Sequence, residues 1–565
     1  MRINRTAISP LLFLLIYAIA PALIAAEEKT DTNYHSVSIN QRDAVVLHEL
    51  EKMLGEEIPR VERIEDTTFG YKAASGKVVA LRLENRDLTV LPETICELKD
   101  LEYLGVRYNK LESIPAGIAR LQSLKKLYVG RNPLRSLPES IGDLSNLEIL
   151  YLNFTQLTRL PESVSNLINL KQLWVEFCTL KSLPNSIGNL ENLNELLLES
   201  AQLRTLPWSI GKLTKLRGIQ CDDNRLSSLP ESIGDLNLEY FCLDGNQLTA
   251  IPESIGRIKN LRSLRMAGNQ ITVLPESIGD LTNLERLWVY KNNLRSLPES
   301  IGNLSKLEML FAQDNELRSV PDSLGNLTNL RVLKLRSNRL DSLPETIGAL
   351  VNLQELYIEG NRIERLPENI GRLSSLHELW MSRNRMRSLP EGLGRLTNLQ
   401  KLVVSDCLLS SLPDNIGELK NLRCLDASDN LFHELPESIT GLSNLQDLRL
   451  GYNEIFSLPE RFGELKNLQK FYFQQNWPSS LPESFGDLTS LTHLNLNLVP
   501  LQSLPESMSR LTNLRFLWIM RDKFYDPLPE ADLLPLKQQG CTIFRGFENE
   551  KFRAGNIPFN LSPPH

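Results

Sequence analysis

The sequence predicts an α/β solenoid: a horseshoe with a concave parallel β-sheet of about 20 strands and short helical or 3-10 segments on its convex side. Three observations predict it. A Leu/Ile/Val-Pro dipeptide recurs with prolines at 92, 115, 138, 161, 184, 207 and 230, then at 252, and in 23-residue steps from 275 to 505, closing at 529. Between the prolines the chain reads approximately LxxLxLxxNxL, and after each proline comes a stretch such as ESIGDL. A fixed period of this length means stacked supersecondary units, not a series of ordinary domains.

Each part of the repeat has a physical role. Leucines at positions one, four and six of LxxLxL place positions four and six about a short strand, so that positions three and five point to the opposite face. Asn at position nine can bond neighbouring backbone groups through its amide and so form a ladder between repeats. Proline opens a turn, and the glycine of SIG argues against a long helix. Narrow strands on one side and wider coils on the other curve the stack. The one 22-residue step falls at GDLNLEYF, 234–241, in the connecting segment, where a solenoid tolerates a deletion best.

Read in chain order, residues 1–26 are expected to be a signal peptide: Arg2 and Arg5 precede an apolar run from Leu11, then small residues up to Ala26. Residues 27–41 form a flexible segment. An N-terminal cap, a helix plus a turn, occupies 42–77, with Val46, Leu47, Leu50 and Leu54 at helical spacing and Gly55 as the stop. The solenoid occupies 78–530, a C-terminal cap 531–547, and a Pro-rich disordered tail 548–565.

The repeat LPESIGxLxNLxxL is similar to leucine-rich repeat proteins, among them prokaryotic repeat proteins, the Ras–Raf scaffold, and plant intracellular Ras-group and disease-resistance proteins. The N-terminal segment Val45 to Leu83 resembles that of the prokaryotic set, and the resemblance covers Arg42 to Ile543. It implies a binding scaffold and names no partner.

Composition and motifs agree with binding in place of catalysis. The chain has 565 residues, a net charge of -7 and 41% hydrophobic residues, without the basic bias of a nucleic-acid binder. No GxxxxGK[ST], GxSxG, HExxH or EF-hand loop occurs, so no catalytic, cofactor-binding or metal-binding residues are assigned. Seven cysteines lack CxxC spacing and read as isolated thiols.

Position nine is Asn in thirteen of twenty repeats; the exceptions are Arg86, Thr155, Cys178, Ala201, Cys407, Val499 and Asp522. Three exceptions in succession, at 155, 178 and 201, predict a locally weakened ladder.

Position five, central on the concave face, is aromatic in nine of twenty repeats, against 7% aromatic residues overall, and holds four of the six tryptophans. Aromatics favour strands for packing reasons. An exposed row of them also makes a recognition surface. The expected partner-binding residues are Tyr128, Tyr151 and Trp174 as one cluster, Trp288, Tyr290 and Phe311 as a second, with Tyr357 and Trp380 beyond. Charge alternates along the flanking columns: Arg107, Lys126 and Arg131, then Glu176, Glu195, Glu199, Asp222, Asp223 and Asp244, then Arg265, Arg286, Lys334 and Arg336.

The expected function is therefore a non-catalytic protein-binding scaffold that is secreted, periplasmic or at the cell surface. A protein ligand sits on the concave face, with no nucleic-acid partner, no stable membrane insertion after signal cleavage and no cofactor. Two other readings stand beside it: a carbohydrate-binding surface protein, and an intracellular scaffold for a small GTPase or phosphatase.

Overall fold

The computed structural model describes residues 31–34, 37–64, 69–521 and 528–545. The signal peptide, the tail and the ladder exception Asp522 lie outside the described residues, as does part of the flexible segment. The chain divides into two compact units, Met1–Leu248 and Thr249–His565.

The first unit opens with an antiparallel pair, β1 (Asp31–Tyr34) and β2 (Val37–Asn40), followed by helix α1 (Gln41–Leu54). The Asn40 side chain accepts the Asp43 N–H at 2.8 Å and fixes the helix start. Gly55, at φ 74°, ends the helix in the left-handed conformation that glycine adopts without a Cβ penalty. Val46, Leu47 and Leu50 are buried. Asp43 is buried beside them, and its carboxylate accepts the Val78 N–H at 2.7 Å, tying the helix to the first sheet strand. A hairpin follows, β3 (Gly70–Ala74) antiparallel to β4 (Lys77–Arg82).

From β4 onward the sheet is parallel. In the first unit its later strands are Tyr103–Gly105, Lys126–Tyr128, Ile149–Tyr151, Gln172–Trp174, Glu195–Leu197, Gly218–Gln220 and Tyr240–Cys242. The second unit continues the same pattern from Ser263–Arg265 to Phe516–Trp518, and ends with helix α2 (Glu530–Gln538) and the strand Thr542–Phe544. Register is kept at 23 residues, Tyr151 beside Trp174 and Trp288 beside Phe311. At the deletion Gly218 pairs with Tyr240, so the sheet stays in register while the coil absorbs the change. Leu236, which closes that coil, takes ψ 156° where Leu213 takes 58°.

Opposite the sheet, the described coils up to Glu506–Arg510 are 3-10 turns of three to five residues that start one to three residues after proline, as at Glu139–Asp143. Its glycine lets successive coils touch: a Cβ at Gly142 would sit 2.2 Å from the Ser163 carbonyl oxygen. Leucines at positions one, four and six, with the coil Ile or Leu, are buried in both units and form the cores.

The position-nine ladder is regular where Asn is present. Asn132 donates to the carbonyls of Val106 and Val129, each at 2.9 Å, and accepts the Leu111 N–H at 3.0 Å. The sequence exceptions break this. The Thr155 hydroxyl donates only to the Leu152 carbonyl, at 2.9 Å, and meets the Cys178 sulfur at 3.2 Å. Ala201 offers no side-chain group. Among the described residues the amides of Leu134, Leu157 and Leu180, which an Asn at 155, 178 and 201 would satisfy, receive no acceptor.

No disulfide joins any of the seven cysteines. Burial raises the Cys407 thiol to about 11 and the Cys178 thiol above its ordinary value. Both therefore stay protonated at neutral pH, and the thiol form is a poor nucleophile. Cys242, at position five of its strand, is buried.

Candidate functional site

In the first unit the position-five column is a continuous stack. Ring centroids of Tyr103 and Tyr128 lie 5.3 Å apart, Tyr128 and Tyr151 5.7 Å, and Tyr151 and Trp174 5.3 Å. These are the tilted separations that aromatic quadrupoles favour. Tyr103 belongs to position three, a flanking column that the sequence marks as aromatic and basic, outside the expected binding clusters. It fills the place left by Gly105 at position five, where a Cβ would meet its ring at 3.0 Å. Burial holds the Tyr103 hydroxyl up at about 12, and Arg82 donates to it at 2.9 Å. Tyr151 leans across Gly130, whose missing side chain makes the room: a Cβ there would lie 2.4 Å from the ring. The Arg107 guanidinium stands 5.4 Å from the rings of both Tyr128 and Tyr151 and is held by Glu84 at 2.8 Å.

Tyr128, Tyr151 and Trp174 are half-buried, with ring surface left open to solvent. The Trp174 indole N–H has no acceptor among the described residues. That nitrogen is covered by the protein itself, and a covered donor without a partner destabilises by about 1–3 kcal/mol.

The second unit treats its column differently along its length. Trp288 and Phe311 meet edge to face at 5.9 Å and 85°, both half-buried, with Arg265 6.0 Å from the indole. Tyr290 is half-buried one column away, at position seven. The Lys334 ammonium lies between Phe311 at 4.8 Å and Tyr357 at 5.1 Å, and burial lowers its pKa. Beyond it Tyr357 and Trp380, expected on the recognition surface, are covered: they are 1% and 6% exposed and pack with Val403. The Tyr357 hydroxyl donates toward Glu355 at 3.1 Å, the Trp380 indole donates to Glu378 at 2.8 Å, and Lys401 caps the Trp380 ring at 4.0 Å. The charged side chains of position three thus close over this pair. Further along, Trp518 is stacked on Phe544 of the C-terminal cap at 5.4 Å and 12°.

Glu359, at position seven beside this pair, has both carboxylate oxygens buried with no donor from another residue. Desolvation by burial raises its pKa from 4.5 to about 7, against the opposing pull of its own backbone N–H and of Arg336 and Lys334. Among the described residues no group of three or more His, Cys, Asp or Glu side chains could hold a metal ion, and no helix is long and apolar enough to cross a membrane.

With this geometry in view, the repeat can be compared with known proteins. The sequence profile described as "Leucine-rich repeat region" matches residues 131–228, 253–337, 321–427 and 407–534. The chain belongs to the leucine-rich repeat family. No curated protein matches it. Among solved structures it is similar to a leucine-rich repeat protein of Leptospira interrogans, 34% identical, with a TM-score of 0.57 over 65% of this chain and 95% of that one. It is also similar to a plant peptide hormone receptor, RGFR1, solved in complex with RGF2: 25% identical, TM-score 0.56, covering 85% of this chain and 100% of the other. A third likeness is the TDR receptor, 26% identical, TM-score 0.60, covering 80% and 85% respectively.

Proposed function

We propose that this leucine-rich repeat protein is a non-catalytic recognition scaffold that binds a protein or peptide ligand on the concave face of its sheet. The supporting observation is the open aromatic stack Tyr128–Tyr151–Trp174, flanked by Arg107. Rigid aromatics with an arginine beside them are the composition of binding hot spots. The pair Trp288 and Phe311, with Tyr290 beside it, is the corresponding patch of the second unit. Tyr357 and Trp380 support that surface from beneath and take part in binding only if Glu355, Glu378 and Lys401 move aside. The plant receptor in complex with RGF2 supports a peptide or protein ligand as the class. The Arg2–Ala26 segment supports a secreted, periplasmic or surface location.

A photo-cross-linking amino acid placed at Lys126 or Arg286 on the sheet face, with Trp208 on a coil as control, tests the reading. Protein adducts that form at the sheet positions and not at Trp208 support it. Glycan adducts alone, or equal yields at all three sites, refute it.

A further inference from the structure

A second row of side chains runs beside the aromatic column of the first unit, at position eight. Every residue of this row from Asn85 to Leu498 has a left-handed backbone, as the turn out of the strand requires. Asp, Asn and Gly suit that conformation, and the row uses them at Asp223, Gly245 and Gly268. Bulky side chains there are strained by about 1–2 kcal/mol each. Yet Tyr108, Arg131, Phe154 and Phe177 follow one another in this row, at φ 57°, 53°, 58° and 52°.

These four also form an exposed stack. The Arg131 guanidinium lies 4.9 Å from the Tyr108 ring and 3.8 Å from the Phe154 ring. Phe154 and Phe177 stack in parallel, 4.4 Å apart at 6°. Phe154 is 36% exposed and Phe177 41%. The next residue in the row is Ser200, too short to reach the ring, and among the described residues no other ring or cation lies against Phe177. Glu176 precedes Phe177 in the chain, its carboxylate accepting the Asn153 amide at 2.5 Å, and Glu199 lies in the next repeat, where its carbonyl accepts the Phe177 N–H at 2.8 Å. Among the described residues neither carboxylate pairs with a cation. The Glu176 carboxyl is shifted upward by burial and by the neighbouring Glu199.

We propose that the open face of Phe177, with Glu176 and Glu199, receives the guanidinium of an arginine carried on an extended segment of a protein partner. The slot repeats an arrangement the chain already contains, Arg131 on Phe154, with the partner's arginine in the place that Ser200 leaves open. A planar cation meets the ring face with its plane and the carboxylates with its charge, where a neutral sugar offers them hydroxyls and no charge. Strained, exposed aromatics contribute little to folding, and such strain is kept where a site needs it. The proposal rests on the reading of this chain as a protein binder and specifies the side chain that the ligand presents.

The test uses the full chain with 4-fluorophenylalanine at position 177 alone, and the peptide acetyl-Gly-Arg-Gly-amide as probe. Its citrulline counterpart is the neutral control. The fluorine resonance is expected to shift saturably with arginine peptide at about 1–10 mM, the strength of one exposed cation–π contact with one or two exposed ion pairs. Citrulline peptide should leave it unmoved. Glu199→Gln should weaken binding about two- to fivefold. Ser200→Arg should abolish the shift by filling the slot; arginine is tolerated at this left-handed position, as Arg131 and Arg383 show. Equal shifts with both peptides, no shift at all, or binding that survives Ser200→Arg overturns the proposal. So does a shift produced by a neutral oligosaccharide and not by arginine. A silent fluorine together with intact protein cross-linking at the sheet face overturns the arginine slot alone.

Discussion

Ala201→Asn should stabilise the first unit, because it restores a missing rung of the amide ladder. In the regular rungs one Asn amide reaches two carbonyls at good length and its oxygen accepts one N–H, as at Asn224: 2.7 Å to Leu198, 3.0 Å to Cys221, and 2.9 Å from Leu203. At position 201 the matching partners are the Val175 and Leu198 carbonyls and the Leu180 N–H. Three bonds at about 1 kcal/mol each, less the cost of ordering and burying one Asn side chain, leave about 1–2 kcal/mol. The assay is hydrogen exchange followed by mass spectrometry. In the unmodified chain, peptides covering 152–201 should exchange faster than those around Asn315 and Asn338. In the variant, those near 180–201 should slow by about 5–30-fold, the equivalent of 1–2 kcal/mol. Equal protection at both places in the unmodified chain, or an unchanged rate in the variant, would show that the ladder does not set local stability.

Three further outcomes are expected. The Glu359 carboxyl has a folded pKa raised from 4.5 to about 7, so the fold binds its proton more tightly than the unfolded chain does. Stability should therefore fall as pH rises from about 4.5 through 7, by up to about 3 kcal/mol from this group, and urea melts of Glu359→Gln should show a flatter profile and greater stability at pH 8. Gly130→Ala should push Tyr151 off its place, since the new Cβ would lie 2.4 Å from the ring. The readout is ligand affinity, expected to drop about tenfold or more with the far-ultraviolet circular dichroism unchanged. Phe544→Ala should uncover Trp518 and loosen the C-terminal cap by about 1–2 kcal/mol, seen as faster exchange of 516–519.

Much of this architecture is legible in the sequence because the chain repeats. A 23-residue period fixes which leucines face the core, which residues share a column, and where proline and SIG place the 3-10 coils. The weak rung at Thr155, Cys178 and Ala201 is legible for the same reason. What is not legible depends on neighbours in other columns. Tyr357 and Trp380 share the position-five column with Trp174, yet Glu355, Glu378 and Lys401 of position three close over them and Lys334 of their own column lies against Tyr357, an outcome set by neighbouring side-chain length. Tyr103 looks peripheral until the empty place at Gly105 is recognised. Phe154 and Phe177 escape a reading confined to the strand columns. Their signal is an adjacent aromatic pair in a turn row whose commonest residues are Asp and Gly, and its meaning depends on the left-handed backbone found there.

The central claim is that the open aromatics of the sheet face carry ligand binding. It is tested most directly by the affinity of the cross-linked ligand for Trp174→Ala/Trp288→Ala, measured beside Trp208→Ala on an exposed coil. Each hot-spot indole is expected to contribute about 2 kcal/mol or more, so the double variant should lose about 1,000-fold in affinity while Trp208→Ala keeps it. Unchanged binding by the double variant, or an equal loss in the coil variant, would contradict the account.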